Sequence, residues 1–243
     1  MKMIKVLSIG NSFSQDAQRY LYKIAKNEGV EFKSVNLYIG GCSLQTHYMN
    51  MVQNKPEYLY ELNGESLGIF VSIADALRSD KWDIVTLQQV SSLSSNYETY
   101  VPYITKLAEY VRLFCPNAKI MIHQTWAYEQ DCKRLNEELG YSDQHDMFSD
   151  IEKAYQKAAK IVSADGIIPC GKVMMQAIDN GIGRIHRDTF HADLGVGRNM
   201  LGLIWFKALT GEMAKCTFNE FDVEVNDEQV AIAIETVKEV FGE

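Results

Sequence analysis

The stretch Ile4-Lys5-Val6-Leu7-Ser8-Ile9-Gly10-Asn11-Ser12-Phe13-Ser14 passes from an apolar run of strand length through a small, polar turn, and a segment of helical period, Ala17 to Lys26, follows it. A strand that hands on to a helix is half of a βαβ unit, and the alternation recurs along the chain. Phe32 to Leu37 comes next, then Ile84 to Leu87 with Tyr100 to Phe114, Ile120 to Ile122 with Ile151 to Val162, and Ile167-Ile168 with Val173 to Ile178. These runs are apolar almost throughout, as strands covered by helices on both faces must be. The expected fold is α/β, a three-layer α/β/α sandwich around a parallel sheet of about five strands.

Two further helical patterns close the chain, Gly195 to Leu209 and Asp227 to Val240, the second with Asn226 or Asp227 as N-cap. One segment breaks the alternation. Tyr58 to Leu62 and Leu67 to Val71 flank Asn63-Gly64, a hairpin signal because both central positions of a type I′ turn need positive φ. A hairpin near 58–71 that enters the chain shortly after Gly41 is expected to overhang the strand ends. A polar insertion, Trp126 to Met147, follows the fourth strand. With no repeat or linker in 243 residues, residues 1–243 are read as one domain.

A net charge of -8 without any run of Lys or Arg argues against nucleic acid and anionic membrane surfaces as partners, and favours a small molecule or carbohydrate. No stretch reaches the ~18 apolar residues of a membrane span, and Met1 to Ile9 has no signal-peptide layout. The sequence as it stands is read as cytoplasmic; removal of a leader would make it periplasmic or secreted. The oligomeric state is open. Five scattered cysteines, Cys42, Cys115, Cys132, Cys170 and Cys216, lack the spacing of a disulfide framework or zinc ribbon and read as small buried hydrophobes.

Ligands of open α/β sheets bind beyond the carboxyl ends of the strands. After the first strand, Gly10-Asn11-Ser12 sets a hydroxyl at the start of a helix, where N–H groups and positive potential gather; an ordinary capped turn has the same composition. Near the other end stands Asp188-Thr189-Phe190-His191. A carboxylate three residues before a histidine can accept Nδ1–H and leave Nε2 free as a base, although a solvated loop with a capping Asp reads the same way.

Taken together, Gly10-Asn11-Ser12, Gly41-Cys42-Ser43 after the second strand, Gln88-Gln89 after the third, and Asp188-x-x-His191 before a long helix resemble the ordered blocks of the SGNH (GDSL-like) hydrolases. The likeness runs from residue 4 to about 210. The stretches Ile39 to Leu44 and Gln124 to Tyr128 look more narrowly like an uncharacterised subgroup from gut Bacteroidetes. The resemblance implies a flavodoxin-like strand order 2-1-3-4-5, Ser12 as nucleophile, His191 as base and Asp188 as its orienting carboxylate. It also implies an oxyanion hole from the N–H groups of Ser12 and Gly41, and needs no cofactor or metal.

Two departures from the family pattern matter. Asn11 stands where Asp is usual, at a position that shapes the turn. The oxyanion-hole Asn of the third block is absent, and Gln88 or Gln89 could replace it, since a glutamine amide offers the same donor one methylene further out; Gln88 is preferred. Alternatively both glutamines only cap the strand end. His47, His123, His145 and His186 have no metal spacing, and a Cys42/His47 pair lacks an orienting third group. The expected substrate pocket comprises Asn11, His123, Gln124, Trp126 and Tyr128, with the two aromatics either stacking on a sugar face or packing under the insertion. The expected function is hydrolysis of short-chain esters, acetyl foremost, on carbohydrate through an acyl-enzyme. An acyltransferase or a non-catalytic carbohydrate-binding module are the alternatives.

Overall fold

A computed structural model describes residues 3–215 and 218–242; Cys216 lies outside the described residues. Seven strands are present among them: β1 (Ile4–Gly10), β2 (Phe32–Tyr38), β3 (Tyr58–Leu62), β4 (Glu65–Val71), β5 (Ile84–Leu87), β6 (Lys119–His123) and β7 (Gly166–Ile168). The helices are α1 (Ser12–Gln18), α2 (Leu21–Asn27), α3 (Leu44–Gln53), α4 (Ile73–Arg78), α5 (Tyr103–Phe114), α6 (Gln144–Ile161), α7 (Cys170–Asp179), α8 (Val196–Thr210) and α9 (Asp227–Phe241). The seven strands form one sheet in the order β4-β3-β2-β1-β5-β6-β7.

The five strands β2-β1-β5-β6-β7 are parallel and keep the expected order. From β1 the chain crosses to β2 on one side and later to β5 on the other, and right-handed crossovers then send the helices to opposite faces. α1 and α2 pack with α8 on one face, while α3, α4 and α5 pack against one another on the other. The cleft of such a sheet opens where the crossovers diverge, at the carboxyl end of β1. The core beneath it is apolar: Val6, Leu7, Ile9, Val35, Leu37, Val85, Leu87, Ile120 and Ile122 are at most 1% exposed.

The hairpin adds to the expected sheet and corrects one expectation. β3 and β4 extend the sheet to seven strands by antiparallel pairing on β2, with Tyr38 opposite Leu59 and Val35 opposite Leu62. β3 therefore starts at the site end of β2 and runs away from it. The Asn63-Gly64 tip sits against the last turn of α1: Arg19 donates from Nη1 to the Gly64 carbonyl at 2.9 Å, and Asn63 N–H donates to Ser34 O at 2.8 Å. The hairpin guards a sheet edge and does not overhang the strand ends.

Candidate active site

The turn after β1 is specified residue by residue. A side chain at Gly10 would meet Ser14 Oγ at 2.0 Å and Asn36 Oδ1 at 2.9 Å, so only glycine fits. Asn11 caps α1: its Oδ1 accepts from Phe13 N–H at 3.0 Å, and its own N–H donates to Ser14 Oγ at 3.0 Å. Asn11 Nδ2 donates to the Cys42 carbonyl at 3.1 Å, joining this turn to the Gly41 loop. Ser12 follows as the first residue of α1, half-exposed at the carboxyl end of the sheet.

The loop 186–192 comes to Ser12 from the far side of the chain. His186 and Ala192 form an isolated antiparallel bridge, and Arg187 N–H donates to His191 O at 3.0 Å. Thr189 holds φ +72°, a left-handed conformation that β-branched residues avoid, and its carbonyl is held by Glu129 N–H at 2.8 Å. Strain of this kind, of order 1–3 kcal/mol, is kept where surrounding bonds over-determine the backbone. The turn closes Asp188 onto His191. The carboxylate takes the His191 backbone N–H at Oδ1, 2.8 Å, and the imidazole Nδ1 at Oδ2, 2.8 Å. The other ring nitrogen, Nε2, lies 2.8 Å from Ser12 Oγ. With Nδ1–H given to Asp188, Nε2 keeps its lone pair for the serine hydroxyl. Burial pushes the Asp188 carboxyl up, but hydrogen bonds from the His191 ring and backbone outweigh it and leave it below its ordinary value.

The serine and histidine open into a cavity of about 390 Å³ that is also lined by Tyr38, Gly41, Ser91, Arg134 and Phe190. Gly41 holds φ +64°, and a Cβ there would meet nothing within 4 Å. Among the described residues nothing accepts a hydrogen bond from Gly41 N–H or Ser12 N–H. A larger cleft, about 540 Å³ around Lys5, Asp80 and Trp82, lies at the amino ends of the strands, remote from His191.

The other residues expected in the site are elsewhere engaged. Gln88 is 1% exposed; its Nε2 donates to Asn11 Oδ1 at 2.6 Å and its Oε1 faces His123 Nδ1 at 2.7 Å. Gln89 is fully buried: its Oε1 accepts from Leu44 and Val90 N–H, both 2.9 Å, and its Nε2 donates to Thr99. Neither amide is free to hold an oxyanion: Gln88 braces the Asn11 and His123 side chains, and Gln89 braces the backbone of Leu44, Val90 and Thr99. Asn11 does line the cavity, but with both ends of its amide bonded to the protein. His123, Gln124, Trp126 and Tyr128 do not line it and are each at most 3% exposed. They sit behind the site because the insertion folds back over them, with Leu135 and Met147 also fully buried. Trp126 stacks on Phe13 at 4.1 Å and donates from Nε1 to Phe190 O at 2.9 Å, bracing both sides of the serine–histidine contact. Burial without a compensating charge holds the His123 and His47 imidazoles down to about 3. Cys42 Sγ is 3.4 Å from His47 Nδ1, but burial pushes the thiol up to about 12, the opposite of an activated nucleophile.

Sequence reasoning missed Tyr38, Ser91, Ser92 and Phe190 in the cavity, although the strand-end rule points to the first three. Arg134 it missed altogether. No group of three or more potential metal ligands occurs among the described residues, and no helix among them is long and apolar enough to cross a membrane.

Residues 5–236 match the domain family DUF4886, described as a domain of unknown function. A DUF4886 family protein from Bacteroides uniformis is 34% identical, with a TM-score of 0.92 over 99% of this chain and 95% of that one. A candidate SGNH hydrolase from Slackia heliotrinireducens is 20% identical, with a TM-score of 0.60 over 85% of this chain and 98% of that one. A catalytic mutant of Axe2, an acetylxylan esterase from Geobacillus stearothermophilus, is 12% identical, with a TM-score of 0.54 over 85% and 94%. No curated protein matches the chain. At these identities the last two structures establish a shared fold, that of the SGNH hydrolases.

Proposed function

We propose that this chain, which belongs to the DUF4886 family and has the SGNH hydrolase fold, is a serine esterase that hydrolyses short-chain esters of polar alcohols through an acyl-enzyme. One observation carries the reading: His191 Nε2 lies 2.8 Å from Ser12 Oγ while Asp188 takes the opposite ring nitrogen at 2.8 Å. In this reading His191 removes the Ser12 proton as Oγ attacks the ester carbonyl. The resulting oxyanion is held by Ser12 N–H and Gly41 N–H, with no glutamine involved. His191 then gives the proton to the departing alcohol oxygen. Water, deprotonated by the same imidazole, attacks the acyl-serine, and the proton passes to Ser12 Oγ as the carboxylic acid leaves. Asp188 keeps the ring oriented and stabilises its cationic form.

A small acyl group, acetyl foremost, suits an open cavity of about 390 Å³ that mixes glycine and serine with Tyr38 and Phe190. These two half-buried rings offer a sugar-stacking surface, while the buried Trp126 and Tyr128 follow the alternative of packing under the insertion. The alcohol is therefore read as a carbohydrate or similar polyol.

The test is a panel of 4-nitrophenyl acetate, butyrate and decanoate together with acetylated oligosaccharides. Turnover is expected to fall with acyl length and to vanish in Ser12→Ala. Wild-type turnover by Ser12→Ala sinks the mechanism, and a clear preference for decanoate sinks the substrate class.

A further inference from the structure

Among the described residues Arg134 is the sole permanently charged side chain lining the cavity that holds Ser12 and His191, in a chain whose net charge is -8. It stands at the start of a single wide turn, Arg134–Glu138, inside the insertion that follows β6. Its guanidinium carbon lies 4.9 Å over the Phe190 ring and 5.1 Å over the Tyr128 ring. Cation–π attraction to the two rings holds the group in place. Glu138, 57% exposed, takes Nε at 3.0 Å. Among the described residues nothing bonds the two terminal nitrogens, and no lining residue of the cavity is acidic.

From this arrangement we infer that Arg134 forms an anion subsite and that the preferred ester carries a carboxylate on its alcohol portion, as an acylated hexuronic or other sugar acid does. The inference rests on the esterase reading for the side of the bond it assigns. His191 must hand its proton to the leaving oxygen, so the alcohol lies on the imidazole side. Arg134 stacks on Phe190, whose ring is 4.2 Å from that of His191. A planar fork with two free nitrogens matches a carboxylate in bidentate fashion. Ser92 lines the same cavity and can donate to the same anion. The exposed Glu138 is a weak competitor, because ion pairs in water contribute little.

The probe pair is 3-acetoxybenzoate and its methyl ester, which share the acetyl group and differ in the charge of the alcohol portion. Wild-type enzyme is expected to favour the anion. Arg134→Met should lower kcat/KM for the anion about tenfold or more through KM, the loss of a charge-assisted bond, and leave the methyl ester within about threefold. Arg134→Lys, which keeps the charge without the fork, should fall between. A ratio that does not move, or an equal loss on both esters, overturns the inference and makes Arg134 a packing residue for Phe190. Calorimetric binding of the product 3-hydroxybenzoate gives a readout without turnover. Binding to wild type that weakens in Arg134→Met supports the anion subsite even if neither ester is hydrolysed, in which case the esterase reading fails alone; no binding to wild type overturns the subsite.

Discussion

Replacing Asp16 by Asn tests how the two halves of the site are held together. Asp16 is one helical turn beyond Ser12 and fully buried. Both of its carboxylate oxygens lie 2.9 Å from Arg187 Nη1, and Oδ1 also accepts from Arg198 at 2.9 Å. Arg187 directly precedes Asp188, and its guanidinium also bonds the Ala192 carbonyl. One buried carboxylate thus ties the helix that begins with Ser12 to the loop that presents His191. Asp16→Asn keeps the volume but leaves two guanidiniums, 26% and 13% exposed, facing one neutral side chain. Removing one partner of a buried ion pair costs about 3–5 kcal/mol. At roughly 2–4 °C per kcal/mol for a chain of this size, the midpoint should fall by about 6–20 °C in a thermal melt. Well below that midpoint, kcat on 4-nitrophenyl acetate should drop at least ~10-fold, since small misplacements of reacting groups are expensive. A loss under ~1 kcal/mol would refute the energetic argument. Full destabilisation with unchanged kcat would refute the tether.

Two further expectations follow from buried polar groups. Burial lowers His47 and His123 to about 3 and His186 to about 4, so the folded chain binds fewer protons than the unfolded one below the ordinary value of 6.5. Stability is therefore present above pH 6.5 and lost as pH falls toward those values, by up to ~1.4 kcal/mol per pH unit for each histidine. Urea midpoints that stay flat between pH 6.5 and 4.5 would contradict this. Gln88→Met leaves the buried His123 Nδ1 without a partner and removes one of the two bonds to Asn11 Oδ1, and should cost about 1–3 kcal/mol in urea unfolding. Unchanged stability with kcat reduced ~10²-fold would instead return Gln88 to the oxyanion hole.

The parallel core was legible because β1 and β5 are mostly apolar over a strand's length while β2 keeps Phe32, Val35 and Leu37, and Asp188 and His191 because their spacing is local. The direction of the hairpin was not legible, since it follows from pairing with β2, and α3 before it was hidden. Of its residues only Leu44, His47 and Asn50 are buried, so two of three inward positions are polar and no apolar period appears. Gln88 and Gln89 were correctly placed at a strand end, but their partners Asn11, His123, Leu44 and Thr99 are distant in sequence. Trp126 and Tyr128 look like rim residues by position, and only the return of Leu135 and Met147 over them makes them buttresses. Arg134 sits in a polar segment where one arginine has no distinguishing neighbour.

The central claim, that Ser12 is a nucleophile activated by His191, is tested most directly by treating the protein with a fluorophosphonate and mapping the adduct by peptide mass. One adduct is expected, on Ser12, at a rate that collapses in His191→Ala while the fold persists. A natively folded protein that takes no adduct, or takes it on Ser14, Ser91 or Ser92 instead, would contradict the account.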